Sequence, residues 1–516
     1  MTGGSKLRRY HAPVWDEPII HELGRKGERG ISVPRVEDEI TAQTGAIDSI
    51  LPGKVMRETP PDLPELSQAQ VLRHYLRLSQ MTLGMELDID LGVGTCTMKY
   101  SPKVNEALAA MTADIHPLQP EGTLQGLLEI LYEFGHTFLK EVSGMDEFSF
   151  QPGGGSAAAY NNACIMRKYY GENGELEQRN EIITTVFSHP CDAACPATAG
   201  FRVVTLYPEE DGLPSTDALK AAVNENTAGL FITNPEDTGI FNKEIDEWTR
   251  IVHEAGGLCA YDQANANALL GVTRAREAGF DMCFFNLHKT FGSPHGSSGP
   301  GCGAVGVTEE LAPYLPVPVV VKEGDRYGLD YDRPRSIGRV RDFLGNVQVV
   351  VRSYAWAMAL GARGLREVAE VSMINNQYLE KKLLGIKGVT KPFGGRRIDQ
   401  IRYSLQTLKE ETGVGVDDVN RRIVDYGIQT FFTSHHPWLV PEPFTPEPCE
   451  TYSKADIDYW AEALGRVCEE AYSDPELVRS APHRSSMHLF DPSPFDDPER
   501  WAMTWRAYKR KRGEKR

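Results

Sequence analysis

The sequence has no long hydrophobic run. No stretch of about 18 or more apolar residues occurs, so a membrane-spanning helix is not expected, and the mean hydropathy of −0.37 agrees. The charged start, Met1 to Tyr10, is followed by no apolar segment. That gives a secretory leader no support and points to the cytoplasm. Basic charge is in deficit: 55 Lys and Arg against 72 Asp and Glu leave a net charge of −17, which argues against attraction to nucleic acid over the whole surface. The one basic run, Lys509-Arg510-Lys511-Arg512, reads as the solvated end of a helix. Cysteines number nine, an odd count scattered along the chain, so reduced thiols are expected in place of a disulfide framework. Cys191 and Cys195 lie four apart near His189, but no second ligand cluster accompanies them, and no metal is expected. Internal repeats and low-complexity tracts are absent.

A chain of 516 residues, 41% of them hydrophobic, can bury one large core and a smaller one. Residues 1–65 are rich in Pro, Gly and charge and read as an extended surface arm. Helical patterning starts near Ser67, whose hydroxyl can cap the run Ala69 to Ser79. From about Glu147 to Val307 short apolar runs alternate with helical stretches: Ile182–Phe187, Arg202–Leu206, Gly229–Thr233, Leu258–Tyr261 and Met282–Phe285. Such alternation predicts an α/β domain with a mostly parallel sheet flanked by helices. A long helical segment follows from Val347 to Leu384, broken by Gly361 and Gly364. The expected division is an arm at 1–65, a large α/β domain at 66–385 and a smaller C-terminal α+β domain at 386–516.

Open α/β sheets bind ligands at the carboxyl ends of their strands, so the residues after each apolar run carry the chemistry. Phe148-Ser149-Phe150-Gln151-Pro152-Gly153-Gly154-Gly155-Ser156 leads into an alanine-rich helix. Glycines allow close approach of backbone N–H groups, and a helix N-terminus favours an anion, so this turn is a candidate phosphate cradle. Alone it is a common kind of turn. It lacks the Lys-Ser/Thr of a nucleotide loop.

Asp262 ends the run Leu258–Tyr261. A buried carboxylate needs a cation or strong donor, and the pyridine nitrogen of pyridoxal phosphate is one. By itself, Asp262 reads equally as a helix cap. Lys289, in Phe285-Asn286-Leu287-His288-Lys289-Thr290-Phe291, is flanked by apolar residues and followed by a glycine-rich loop, an unusual setting for a normally solvated side chain. Partial burial would lower its pKa, as an imine-forming amine requires. It follows Asp262 by 27 positions (289 − 262), room for one helix and one strand. His189 after one run can lie on a cofactor ring, and Asn234 after another can bond the ring's phenolic oxygen. Each alone reads as a turn residue. Aimed together, the four strand ends point to a pyridoxal-phosphate enzyme of fold type I.

The strings EPIIHELGRKGERGISVP (17–34), GTCTMKYSP (94–102), HPLQPEGTLQ (116–125), TNPEDTG (233–239), YDQANANALLG (261–271), NLHKTFGSPHGSSGPG (286–301) and RSIGRVRDFLGN (335–346) carry a resemblance along nearly the whole chain. It resembles subunit 2 of the pyridoxal-phosphate-dependent glycine dehydrogenase (decarboxylating), half of the glycine-cleavage P-protein. The resemblance implies Lys289 as the Schiff-base lysine, Asp262 at the pyridine nitrogen and His189 stacked on the ring. It puts Gly154, Gly155 and Ser156 on the phosphate with Thr290, and Asn234, Ala264 and His288 around the cofactor. It implies a small amino-acid substrate, glycine, which loses CO₂ and passes its aminomethyl group to the lipoyl group of the H-protein. It further implies a homodimer or a heteromer with a subunit 1-like chain.

The departures gather at the site. The resembled pattern His-Gly-Thr-Asn-Pro-Ala-Ser is here His189-Pro190-Cys191-Asp192-Ala193-Ala194-Cys195, and Gly-Ala-x-Gly-Glu is Gly155-Ser156-Ala157-Ala158-Ala159. A His-Glu-Phe string is Asp399-Gln400-Ile401, and Ser297 and Ser298 replace glycines. Asp192 brings a new carboxyl group to the cofactor's surroundings. A divergent pyridoxal-phosphate decarboxylase or aminotransferase for another amino acid, working without a lipoyl partner, is the alternative expectation. A non-catalytic partner subunit is a second, opposed by the intact Lys289 and Asp262.

Overall fold

A computed structural model describes residues 7–45, 50–84, 86–294, 299–491 and 493–513. Ser297 and Ser298 lie outside the described residues. The chain forms two compact units, one of residues 1–8 and 85–479 and the other of 9–84 and 480–516.

The larger unit is built on a seven-stranded sheet. Its strands are β1 (Glu147–Ser149), β2 (Glu181–Thr185), β3 (Arg202–Leu206), β4 (Thr227–Thr233), β5 (Leu258–Gln263), β6 (Met282–Asn286) and β7 (Gly303–Val307), in the order β1-β7-β6-β5-β4-β2-β3. Neighbours from β3 through β6 pair in parallel, and β7 runs antiparallel to both β6 and β1. All five apolar runs predicted from the sequence are strands of this sheet.

Why those runs are continuously apolar follows from the pleat. Side chains alternate between two separate cores. Ile183, Leu230, Ile232, Cys259, Tyr261, Cys283 and Phe285 belong to one. Ile182, Phe231, Ala260, Met282 and Phe284 belong to the other. The second core is covered by helix α1 (Gly155–Glu172), through Ala158, Ala159, Ala163 and Ile165, and by α2 (Cys191–Thr198), through Cys191 and Cys195. Asp262 shares the parity of Ala260 and so faces the α1 and α2 side.

Helix α3 (Val347–Leu383) leaves helical geometry at Gly361, with φ 63°. Gly364 stays helical, so only one of the two expected breaks occurs. The last turns of α3 and the segments after it form a third apolar cluster, with Leu379, Leu383, Ile401, Tyr403, Val419, Phe444, Trp460 and Leu464, around a two-stranded ribbon, β8 (Tyr403–Ser404) with β9 (Pro443–Phe444).

The smaller unit holds the helix Gln68–Gln80, capped by Ser67: the Ser67 hydroxyl accepts from the N–H of Gln70, whose side chain returns to the Ser67 N–H. In the same unit the C-terminal helix Trp505–Lys511 pairs Lys509 with Asp62, and Arg512 pairs with Glu22. Charges of the basic run are thus matched to acids of the N-terminal segment. Among the described residues no helix is long and apolar enough to cross a membrane.

Candidate functional site

The parallel strands end on one edge, and hydrogen bonds between their end loops assemble the site. After β2, the Ser188 N–H donates to the Thr185 hydroxyl at 3.1 Å, and the Ser188 hydroxyl accepts the N–H of Thr233, at the end of β4, at 3.0 Å. Thr233 in turn fixes the next residue: its hydroxyl accepts the His189 N–H at 3.1 Å. The His189 ring lies edge-on to His435, centroids 4.5 Å apart. Its Nδ1 is 2.9 Å from the Cys191 thiol.

Asp262, only 3% exposed, sits at the end of β5 opposite Thr233 of β4 and Phe284 of β6. One of its oxygens accepts the Ala264 N–H at 2.8 Å. Among the described residues the other meets only the weakly donating Cys191 thiol, at 3.8 Å. Burial pushes its carboxyl up to about 6.

Lys289 follows β6 by a single turn, its N–H donating to the Asn286 carbonyl at 3.0 Å. It is 6% exposed, and its Nζ donates to the Thr95 carbonyl. The expected lowering of its pKa is not what the surroundings produce. Burial does push it down, but Cys96, Asp262, Glu447 and Asp237 together hold the ammonium above its ordinary value. The amine must therefore shed a proton before it can attack a carbonyl.

Thr95, His189, Thr233, Pro235, Asp262 and Lys289 line one cleft with Asp237, Ala264, Asn265, Asp399 and Gln400; its free space is about 340 Å³, part of it open to solvent. Of the expected residues, this cleft brings together Lys289, Asp262, His189 and Ala264. Asn234 does not join them. Its amide is engaged with the backbone of Asn242, accepting its N–H at 2.8 Å and donating to its carbonyl at 3.2 Å.

The glycine turn lies beside the cleft without lining it. Gly154 is the N-cap of α1, and a Cβ on Gly155 would strike the Asn286 amide. Among the described residues a Cβ on Gly154 would meet nothing nearer than His288, at 3.9 Å, so there the N-terminus of α1 keeps an open cradle. The Ser156 carbonyl accepts the Cys195 thiol at 3.2 Å. Thr290 is fully buried, its hydroxyl accepting the Ala266 N–H at 3.0 Å. The His288 ring accepts the N–H of Cys302 at 3.3 Å.

His189, Cys191 and Asp262 bring ligand atoms within 4.8 Å of one another. The Cys191 thiol, however, is held well above its ordinary pKa by its bond with Cys195 and by burial, and a neutral thiol is a poor metal ligand. All nine cysteines are unpaired.

Residues that sequence reasoning did not assign also surround the cleft. Gln400 accepts the Thr95 N–H and donates to the Asp237 carbonyl. Asp237 bonds His435 at 2.6 Å and lies 3.7 Å from Arg402. Against its burial, these partners hold its carboxyl down at about 2. Glu447 accepts from Thr97 at 2.8 Å and from Asn265 at 3.0 Å, and burial raises it to about 8. One oxygen of the buried Asp399 has no hydrogen-bond partner among the described residues. Thr95, Asp237 and Asn265 lie in strings that carried the family resemblance, and Asp399 and Gln400 in one that departed from it. The signal was present but unassigned.

The Aminotransferase class-V family model matches residues 150–318. The chain is 43% identical over 505 residues to the probable glycine dehydrogenase (decarboxylating) subunit 2 of Pyrococcus abyssi, covering 97% of this chain and 98% of that protein. Identity to its namesake in Thermococcus kodakarensis is 43%, covering 98% and 99%. To that of Halalkalibacterium halodurans it is 40%, covering 92% and 96%. A crystal structure of glycine decarboxylase (P-protein) of the glycine cleavage system, in inhibitor-bound form, matches with TM-score 0.71 and 20% identity, covering 84% of this chain and 99% of that one. A cysteine desulfurase from Escherichia coli matches with TM-score 0.57 and 15% identity, covering 76% and 97%. At these identities the structural likeness is one of fold, that of the fold-type I pyridoxal-phosphate enzymes.

Proposed function

Because the chain belongs to the glycine dehydrogenase (decarboxylating) subunit 2 family, we propose that it decarboxylates glycine with pyridoxal phosphate and passes the aminomethyl group to lipoylated H-protein. The single observation that carries this at the site is the meeting of the Lys289 amine and the Asp262 carboxyl in one buried cleft. A cytoplasmic setting, a subunit 1-like partner and assembly as a homodimer or heteromer belong to the same proposal. So does the division into 1–65, 66–385 and 386–516.

The residues present fit the cofactor. Asp262 has one oxygen without a strong donor, as a partner for a protonated ring nitrogen requires, and the start of α1 is an open, glycine-lined helix N-terminus suited to a phosphate. Lys289 would be the covalent anchor and would move protons at the substrate carbon through Nζ. Asp262 would hold the ring nitrogen's proton, and His189 would stack on the ring. Gly154, Gly155 and Ser156 would hold the phosphate with Thr290, and His288 and Ala264 would flank it. Asn234 is not carried into the proposal, because its amide is engaged with Asn242. When bound, pyridoxal phosphate supplies an electron sink for the pair left behind as CO₂ departs.

Exchange of labelled bicarbonate into glycine tests the proposal, using purified chain with H-protein and a subunit 1 chain. Exchange that depends on H-protein is expected. Its absence, with turnover of another amino acid, would favour a divergent decarboxylase or aminotransferase. One observation favours that second reading: the cleft wall carries Asp399 and Gln400 where the resembled pattern has His and Glu.

A further inference from the structure

Asp192 replaces the asparagine of the resembled pattern, and the structure gives it an unusual place. It lies in the first turn of α2 and is fully buried. One of its oxygens accepts the Thr233 hydroxyl at 3.0 Å. That donation turns a Thr233 lone pair toward the His189 N–H, which it receives at 3.1 Å. The other oxygen lies 3.9 Å from the Cys191 thiol, which itself lies 3.8 Å from Asp262. One sulfur thus stands between two buried carboxyl groups.

We infer that Asp192 is a positioning residue for the cofactor end of the cleft, tying Thr233 and His189 in place and setting the charge that Asp262 meets. This rests on the cofactor reading of Asp262 given above. The groups that face Asp192 are Cys191 and Cys195 on its own helix, His189 before it, Asp237 beyond β4 and Asp262 on β5. Helix α1 brings Tyr160 and Cys164 up to Cys195, and Arg202 of β3 is engaged with Glu181. None of these is a cation paired with Asp192. Burial and the neighbouring Asp262 accordingly raise its carboxyl well above the ordinary range, while the Thr233 hydroxyl opposes them. These surroundings favour the neutral acid over the carboxylate. Its ionisation at higher pH places a second negative charge beside Asp262.

The test is the visible absorbance of the bound cofactor followed from mildly acid to alkaline pH, in wild type, D192N and T233V. Thermal melts verify that each variant folds. Asparagine keeps the acceptor for Thr233 but cannot ionise. The wild type is expected to show one pH-dependent step that D192N loses. T233V, lacking the hydroxyl that favours the charged form, should move that step to higher pH. Superimposable wild-type and D192N profiles, or a downward shift in T233V, would overturn the inference while leaving the cofactor reading intact. Failure of the wild type to take up cofactor would sink both.

Discussion

The side-chain oxygen of Gln400 accepts the backbone N–H of Thr95, and the carbonyl of that same Thr95 holds the Lys289 amine. Thr95 needs the support. It is a β-branched residue at φ 64°, a left-handed conformation that costs roughly 1–2 kcal/mol. Gln400 also donates to the Asp237 carbonyl at 3.2 Å. Its own backbone packs so tightly on Gly239, at φ 79°, that a Cβ there would overlap the Gln400 carbonyl. Q400A leaves the Thr95 N–H and the Asp237 carbonyl without these partners. It should cost about 1–3 kcal/mol of stability by chemical denaturation.

Replacing the two residues that meet in the cleft should separate attachment from electronics. K289A removes the covalent anchor. The purified variant should keep no cofactor through denaturation after borohydride treatment, and activity should fall at least about 10³-fold. D262N keeps shape but removes the counter-charge for the ring nitrogen. It should retain covalently attached cofactor while kcat falls on the order of 10²-fold or more. A D262N enzyme of wild-type rate would remove Asp262 from the proposed role.

Much of this site was legible because strands buried on both faces advertise themselves. Runs such as Leu258–Tyr261 are apolar at every position since alternate side chains enter different cores, so Asp262 and Lys289 stood out where those runs stop. The two glycines of the long helix show the limit of local reading. Gly361 adopts φ 63° while Gly364 stays helical, and nothing in the residue type distinguishes them. Asn234 shows the same limit. A strand-end position says that an amide is near the site, not that it turns to Asn242. The proton balance of Lys289 was read from burial alone, but it is set by Cys96, Asp237, Asp262 and Glu447, which come from segments far apart in sequence. Their juxtaposition exists only in the folded chain.

The histidine and the aspartate should contribute differently to pH dependence. Burial holds the His189 ring down at about 4, so it stays neutral across the ordinary working range and can stack without adding charge. Asp262, pushed up to about 6 by burial, titrates there before cofactor arrives, as does Asp399 on the cleft wall, which burial also raises to about 6; of the two, Asp262 is the one proposed to face the ring nitrogen. Below that pH it is protonated and offers no negative partner to a cationic ring nitrogen. The apparent affinity of the apoprotein for pyridoxal phosphate should therefore weaken as pH falls through about 6. H189F should follow the same profile, and D262N should lose it. Fluorescence titration of apoprotein at a series of pH values measures this, and an acid limb that survives in D262N would assign it elsewhere.

Glu236 offers a test of the charge balance away from the reacting atoms. It is buried, accepts the Thr185 hydroxyl at 2.5 Å through one oxygen, and has no hydrogen-bond partner for the other among the described residues. Burial raises its carboxyl to about 8, so the folded chain holds a proton there that the unfolded chain releases from about pH 4.5 upward. Folded protein thus binds more protons than unfolded protein between those values, and stability falls as pH rises through that window. Glutamine keeps the acceptor for Thr185 and cannot ionise. E236Q should match wild type near about pH 5 and exceed it by on the order of 3 kcal/mol near about pH 9. Asp90, raised to about 8 chiefly by burial, and Glu447, raised to about 8, retain their own slopes in both proteins, so the difference between the two denaturation curves isolates Glu236. A constant offset at all pH values would mean that Glu236 is charged in the folded chain and that a cation or water reaches its second oxygen.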